Sequence, residues 1–90
     1  MHDSLFRALA DPTRRRILEL LSERDRTAGE IAEQFPVAFA SVSHHLGVLK
    51  AAGLVATERE GQFIRYRLNT TVFQEVLRYF MKSFSGGNDA

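Results

Sequence analysis

Ninety residues with 44% hydrophobic and 26% charged side chains describe one small soluble globular domain, which buries only about two-thirds of its unfolded surface and gains from a shared oligomeric core. The formal net charge is +1, and its one bias lies in residues 36–69, where Lys50, Arg59, Arg65 and Arg67 outnumber Glu58 and Glu60, a weak hint of an anionic partner. The absence of cysteine excludes disulfides, thiolate metal sites, cysteine nucleophiles and thiol redox sensing; no run reaches the ~18 apolar residues of a membrane span and no signal peptide opens the chain, so a cytoplasmic protein is expected.

The first segment, DSLFRALA, carries Leu5, Phe6 and Leu9 on one stripe behind Asp3 or Ser4 as cap, the pattern of a short helix. Asp11 then caps a second helix with Pro12 in its first position, where a missing N–H costs nothing. Ile17, Leu18, Leu20 and Leu21 supply its buried face. Arg14, Arg15 and Arg16 fall in its first two turns, an unfavourable place for cations relative to the helix dipole. RTAGEIAEQF predicts a third, short helix with Thr27 and Glu30 spaced for a capping box, Ile31 inward and Pro36 as stop.

A fourth helix is predicted from Ala40 to Ala52, closed by Gly53 in the left-handed conformation. At about 100° per residue, Leu46 and Leu49 lie within about 40° of Val42 and define its buried face. His45 sits about 60° off that face, on the flank, while His44 points away from the core with Ala40, Ser43, Gly47, Lys50 and Ala51. The outer face is small, polar and nearly uncharged, which suits close approach to a DNA major groove: Ser43 and His44 offer hydrogen bonds to base edges and Lys50 meets phosphate. An ordinary solvated helix would carry more Glu and Lys. His45 reads instead as a packing residue whose ring nitrogen bonds a neighbouring helix. Adjacent histidines diverge by about 100°, whereas helical metal pairs need i, i+3 or i, i+4 spacing, so no metal site is expected from them or from His2. No catalytic constellation and no cofactor motif stands out.

LVATERE and QFIRYRLN flank Glu60-Gly61, a hairpin signal. Ile64, Tyr66 and Leu68 share one face of the second strand, and Phe63, Arg65 and Arg67 the other. In the last helix Thr71 and Gln74 are spaced for a capping box, and Val72, Phe73, Val76, Leu77, Phe80, Met81 and Phe84 cover more than one stripe. A surface helix needs one apolar face; the second is expected to meet another subunit. The fold class is thus mostly α with a small β-hairpin, a dimeric winged helix-turn-helix of order α-α-α-α-β-β-α, over residues 1–84 with a disordered tail at 85–90.

The segments ALADPTRRRILELL, TAGEIAEQF, SVSHHLGVLKAAGLV and EREGQFIRYRLN, in this order and spacing, resemble the ArsR/SmtB family of winged-helix repressors, most closely its metal-free sporulation-delaying autorepressor branch. The resemblance implies a homodimer on double-stranded operator DNA with an inverted repeat, its reading helices ~34 Å apart, with the chain's own promoter a candidate site. It implies DNA contacts from Ala40, Ser41, Ser43, His44 and Lys50 on the fourth helix and from Arg59, Gln62, Arg65 and Arg67 on the wing. It also implies a dimer seam of Leu5, Phe6, Leu9, Phe73, Leu77, Phe80 and Met81. Family metal sensors often carry a cysteine pair where this chain has Thr27 and Gly29, and the last helix lacks the Asp/His set of the other common site, so release by a protein partner is implied instead. Where relatives begin the reading helix with a Ser cap, a polar residue and Pro, this chain has VAFAS. Ala38 has no capping side chain, and Phe39 either touches a thymine methyl group or packs inward. The alternative functions are a winged-helix protein-interaction module, favoured by Glu58 and Glu60 beside the wing cations, and a ligand-responsive sensor.

Overall fold

Asp11 turns the chain from one helix into the next. Its carboxylate accepts from the backbone N–H groups of Thr13 (2.8 Å) and Arg14 (3.1 Å), with Pro12 at the first helical position. In the computed structural model, which describes residues 3–86, α1 (Asp3–Leu9) ends just before this cap and α2 (Pro12–Glu23) starts at it. There follow β1 (Arg26–Thr27), α3 (Ala28–Ala32), α4 (Phe39–Ala51), β2 (Val55–Glu60), β3 (Phe63–Leu68) and α5 (Thr70–Gly86). This is the winged helix-turn-helix order with one addition. The two-residue β1 pairs antiparallel to β3, Arg26 opposite Tyr66 and Thr27 opposite Arg65, so the hairpin becomes a three-stranded sheet ordered β1-β3-β2.

Local chemistry sets the other boundaries. At α3 the capping box forms: Glu30 N–H donates to Thr27 Oγ1 (3.2 Å) and Thr27 N–H to Glu30 Oε1 (2.8 Å). That backbone donor is the main reason the Glu30 carboxyl titrates below its usual range. The helix proper ends at Ala32, and the amides of Gln34 and Phe35 bond back three residues in a tightened turn ahead of Pro36. α4 closes with Gly53 at φ 79°; the Gly53 N–H reaches the Lys50 carbonyl and the Leu54 N–H the Leu49 carbonyl, the two bonds of a Schellman motif. Leu54 and Leu49 are both fully buried, the hydrophobic contact that accompanies it. The hairpin turn is Gly61-Gln62, one residue later than Glu60-Gly61, with φ positive only at Gly61 (60°), the pattern of a type II′ turn.

α5 is capped by Asn69, whose Oδ1 accepts from Val72 N–H at 3.3 Å, in place of the Thr71–Gln74 box. Asn69 directly follows β3 and already sits outside the helix, so it is the residue free to cap. The helix continues through Gly86, taking in Ser85 and Gly86 of the expected tail; residues 87–90 lie outside the described residues.

The core gathers Ile17, Leu18 and Leu21 of α2, Ile31 of α3, Val42, Leu46 and Leu49 of α4, and Leu54 and Val55 at the sheet entrance. Leu5 and Ala8 of α1 close one side and Val76 of α5 another. Beyond Val76 the large apolar residues of α5 that the structure describes are exposed, and the molecule extends 54 Å along one axis against 24 and 23 Å across.

Candidate nucleic-acid interface

Two of the three arginines at the start of α2, ill placed for that helix, serve its neighbours. Arg14 Nε donates to the Ala8 carbonyl (2.8 Å) and Nη2 to the Arg7 carbonyl (3.0 Å), while Arg15 Nη1 donates to the Leu9 carbonyl (2.8 Å). These are end carbonyls of α1, where a cation is favourable. Arg16 pairs with Glu19 along the helix surface. The same device recurs at the end of α2, where buried Arg26 donates to the Leu20 carbonyl (3.1 Å) and to Glu23 (2.9 Å).

Arg14 also fixes α4. Its Nη1 lies 3.1 Å from His45 Nδ1; a guanidinium only donates, so Nδ1 accepts and the ring proton belongs to Nε2. Asp11 Oδ1 lies 4.0 Å from the same nitrogen, and the His45 side chain is 15% exposed. Burial pushes the Asp11 carboxyl up, but the amides of Arg14 and Thr13 and the nearby Arg14 charge together hold it below its ordinary value. His45 is therefore a packing residue bonded to a neighbouring helix, as its flanking angle predicts.

His44, one residue away, is exposed, and among the described residues its ring meets that of His45 alone, at 5.7 Å between centroids. Ala40, Ser41, Ser43, Lys50 and Ala51 are exposed with it, and none of their side chains makes a hydrogen bond or ion pair among the described residues. Gly47 lies in the middle of this face. A Cβ built there would meet nothing within 4 Å, so packing does not require a glycine that costs a helix about 1 kcal/mol relative to alanine. The missing side chain makes sense if an outside body comes close. Gly47 and Phe39, which is exposed at the first turn, are absent from the contact set drawn from the sequence; the signal for Gly47 is a mid-helix glycine with no internal neighbour.

The wing sorts its cations by face. Glu58 stands opposite Arg65 and Glu60 opposite Phe63, so these side chains share a face with Arg67. Arg65 Nε bonds Glu60 Oε1 at 3.0 Å and Arg67 Nη2 bonds Glu58 Oε1 at 3.4 Å, two parallel diagonal pairs across the ladder. The hydrogen bond and charge of Glu60 raise the Arg65 pKa further. Arg59, on the other face, has no ion pair among the described residues, and Gln62 is exposed in the turn. Of the four wing residues drawn from the sequence, two are thus engaged by carboxylates and two are open.

The expected seam residues divide as well. Leu5 is only 8% exposed and packs into the chain's own core, which removes it from an outward-facing set. Phe6, Leu9 and Phe73 are half-buried, while Leu77, Phe80 and Met81 are exposed together with Tyr79 and Phe84. Phe6 of α1 meets Tyr79 and Phe80 of α5 at 5.4 and 5.2 Å, and Phe80 stacks on Phe84. Beside them Leu9, Leu18, Leu68, Phe73 and Leu77 line an apolar groove of about 420 Å³. Among the described residues no three His, Asp or Glu side chains converge on a metal position, and no helix is long and apolar enough to cross a membrane.

Residues 9–58 match the sequence pattern of a helix-turn-helix domain family. Over 87 residues the chain is 46% identical to the transcriptional repressor SdpR of Bacillus subtilis (strain 168), covering 97% of each. Its fold is similar to the crystal structure of an ArsR family transcriptional regulator, with a TM-score of 0.89 at 28% identity, covering 98% of this chain and 97% of the other. An ArsR-like transcriptional regulator from Rhodococcus sp. RHA1 is similar to the same degree, TM-score 0.89 at 32% identity over 97% of this chain and 80% of that one.

Proposed function

As a member of the ArsR family of helix-turn-helix transcriptional regulators, the chain is a DNA-binding transcriptional repressor and not an enzyme, and we propose that it acts in the cytoplasm as a twofold homodimer on an inverted-repeat operator. The outward face of α4 is the observation that carries this reading. It presents hydroxyls, an imidazole and one ammonium group around a glycine that packing does not need, with no carboxylate among them. In this reading α4 enters the major groove, Ser43 and His44 bond base edges, Ala40 and Ser41 allow close approach, and Lys50 meets phosphate.

Arg59 and Gln62 reach the DNA backbone or the minor groove from the wing. Arg65 and Arg67 do so by exchanging a carboxylate for a phosphate, which makes their share of the affinity smaller than that of free cations. The apolar surface of Phe6, Leu9, Phe73, Leu77, Phe80 and Met81 meets its twofold copy, setting the two reading helices one DNA turn, ~34 Å, apart. Bound there, the dimer excludes RNA polymerase, and a protein partner releases it.

Fluorescence anisotropy against the DNA upstream of the chain's own gene, beside a scrambled duplex and at two salt concentrations, tests the reading. Tight, salt-sensitive binding to the upstream duplex alone is expected for an autorepressor. Weak, salt-insensitive binding to every duplex overturns the reading in favour of a winged helix that binds protein.

A further inference from the structure

The geometry points to Phe39 as a specificity-determining residue that reads the C5-methyl group of a thymine in the operator; this rests on α4 being the reading helix. Phe39 is the first residue of α4 and is 49% exposed. It is not packed against the core, whereas Phe35, four residues earlier, is. The inward place is thus taken by one phenylalanine and the other is left out. No ring contact, hydrogen bond or ion pair holds Phe39 among the described residues, and Val37 beside it is 50% exposed.

The position of the ring matters as much as its exposure. Residues four apart share a helix face, so Phe39 stands one turn before Ser43, with Lys50 further along the same edge. His44 marks the opposite edge of the outward face. An apolar ring at the N-terminal end of a helix in the major groove is best complemented by the thymine C5-methyl group, the one methyl that the four bases present there. Leaving half a phenylalanine in water is unfavourable in the free protein, and covering it on a methyl group recovers that cost only at sites with thymine at this position. The residue therefore discriminates rather than merely adheres.

The test uses the wild-type chain to select a duplex from a random-sequence library, then replaces each thymine of that duplex in turn by deoxyuridine, which removes only the methyl group. For the wild type, one thymine in a half-site is expected to lose affinity by about fourfold, the worth of one methyl-sized group withdrawn from water. Phe39→Ala should be indifferent to that substitution while its salt dependence is unchanged, and Phe39→Leu should remain sensitive. Phe39→Gln, similar in length with a polar head, repeats the test independently of truncation. A deoxyuridine profile that is flat for the wild type, or the same in Phe39→Ala as in the wild type, overturns the assignment. A library from which no sequence is enriched overturns the reading of α4 itself, and this inference falls with it.

Discussion

The outward faces of α4 and α5 are both exposed, yet they are built from opposite materials. On α4 the face is Ala, Ser, His, Gly and Lys, with one aromatic ring at its tip; on α5 it is Leu77, Tyr79, Phe80, Met81 and Phe84. A contiguous surface of large apolar side chains has no favourable resting state in water and signals an apolar partner. A surface of small polar groups is content in water and gains only from a partner that is flat, polar and close. The difference teaches that exposure alone does not identify a binding face, while the size and polarity of what is exposed tells what it binds.

The largest effect should come from breaking the α5 side. Leu77→Glu with Met81→Glu is expected to halve the mass seen by light scattering, keep the helical content of the single domain while lowering its melting temperature, and weaken operator binding at least about 100-fold, because a linked second half-site is lost. A variant that stays dimeric would mean that α5 meets something other than its copy.

Next in size is the anchoring of α4 from behind. Arg14→Ala removes bonds to two α1 carbonyls and to His45, and should lower the unfolding free energy by about 2–3 kcal/mol in urea titration. Arg14→Lys, without the planar fork, should recover only part of this. Loss of affinity with unchanged stability would move Arg14 from the frame to the reading surface.

His44→Ala should do the reverse of Arg14→Ala: unchanged stability, and a loss of about 1–3 kcal/mol on the operator but not on scrambled DNA. Equal losses on both duplexes would make His44 a backbone contact and blunt the contrast between the two faces.

The smallest change sharpens the comparison most. Gly47→Ala should raise stability by up to about 1 kcal/mol, since the added methyl meets open space, and should still weaken operator binding. If stability and affinity rise together, nothing comes close to the middle of α4.

Much of this was legible in the sequence because it is local. The Thr27–Glu30 box, the Gly53 cap and the Pro12 start each depend on residues within one or two turns, and the outward place of His44 and the flanking place of His45 follow from the helical period of α4 alone. What was not legible depends on pairing at a distance. A two-residue strand has no periodicity to detect, so β1 exists only because β3 runs beside it. The pairing of Arg65 and Arg67 with Glu60 and Glu58 follows from the register of the ladder. Asn69, Thr70 and Thr71 all suit a cap, and only the end of β3 decides among them. Likewise the sequence marks Arg14 as misplaced on its own helix without saying whose carbonyls it serves.

That one guanidinium joins α1 to α4, and Phe6 on α1 leans on Phe80 of α5. An unbroken series of contacts therefore runs from the aromatic surface through Phe6, the Arg7 and Ala8 carbonyls and Arg14 to His45. The contacts have the form of a bracket, in which the seat of α4 against α1 rests on the few ångströms around Arg14.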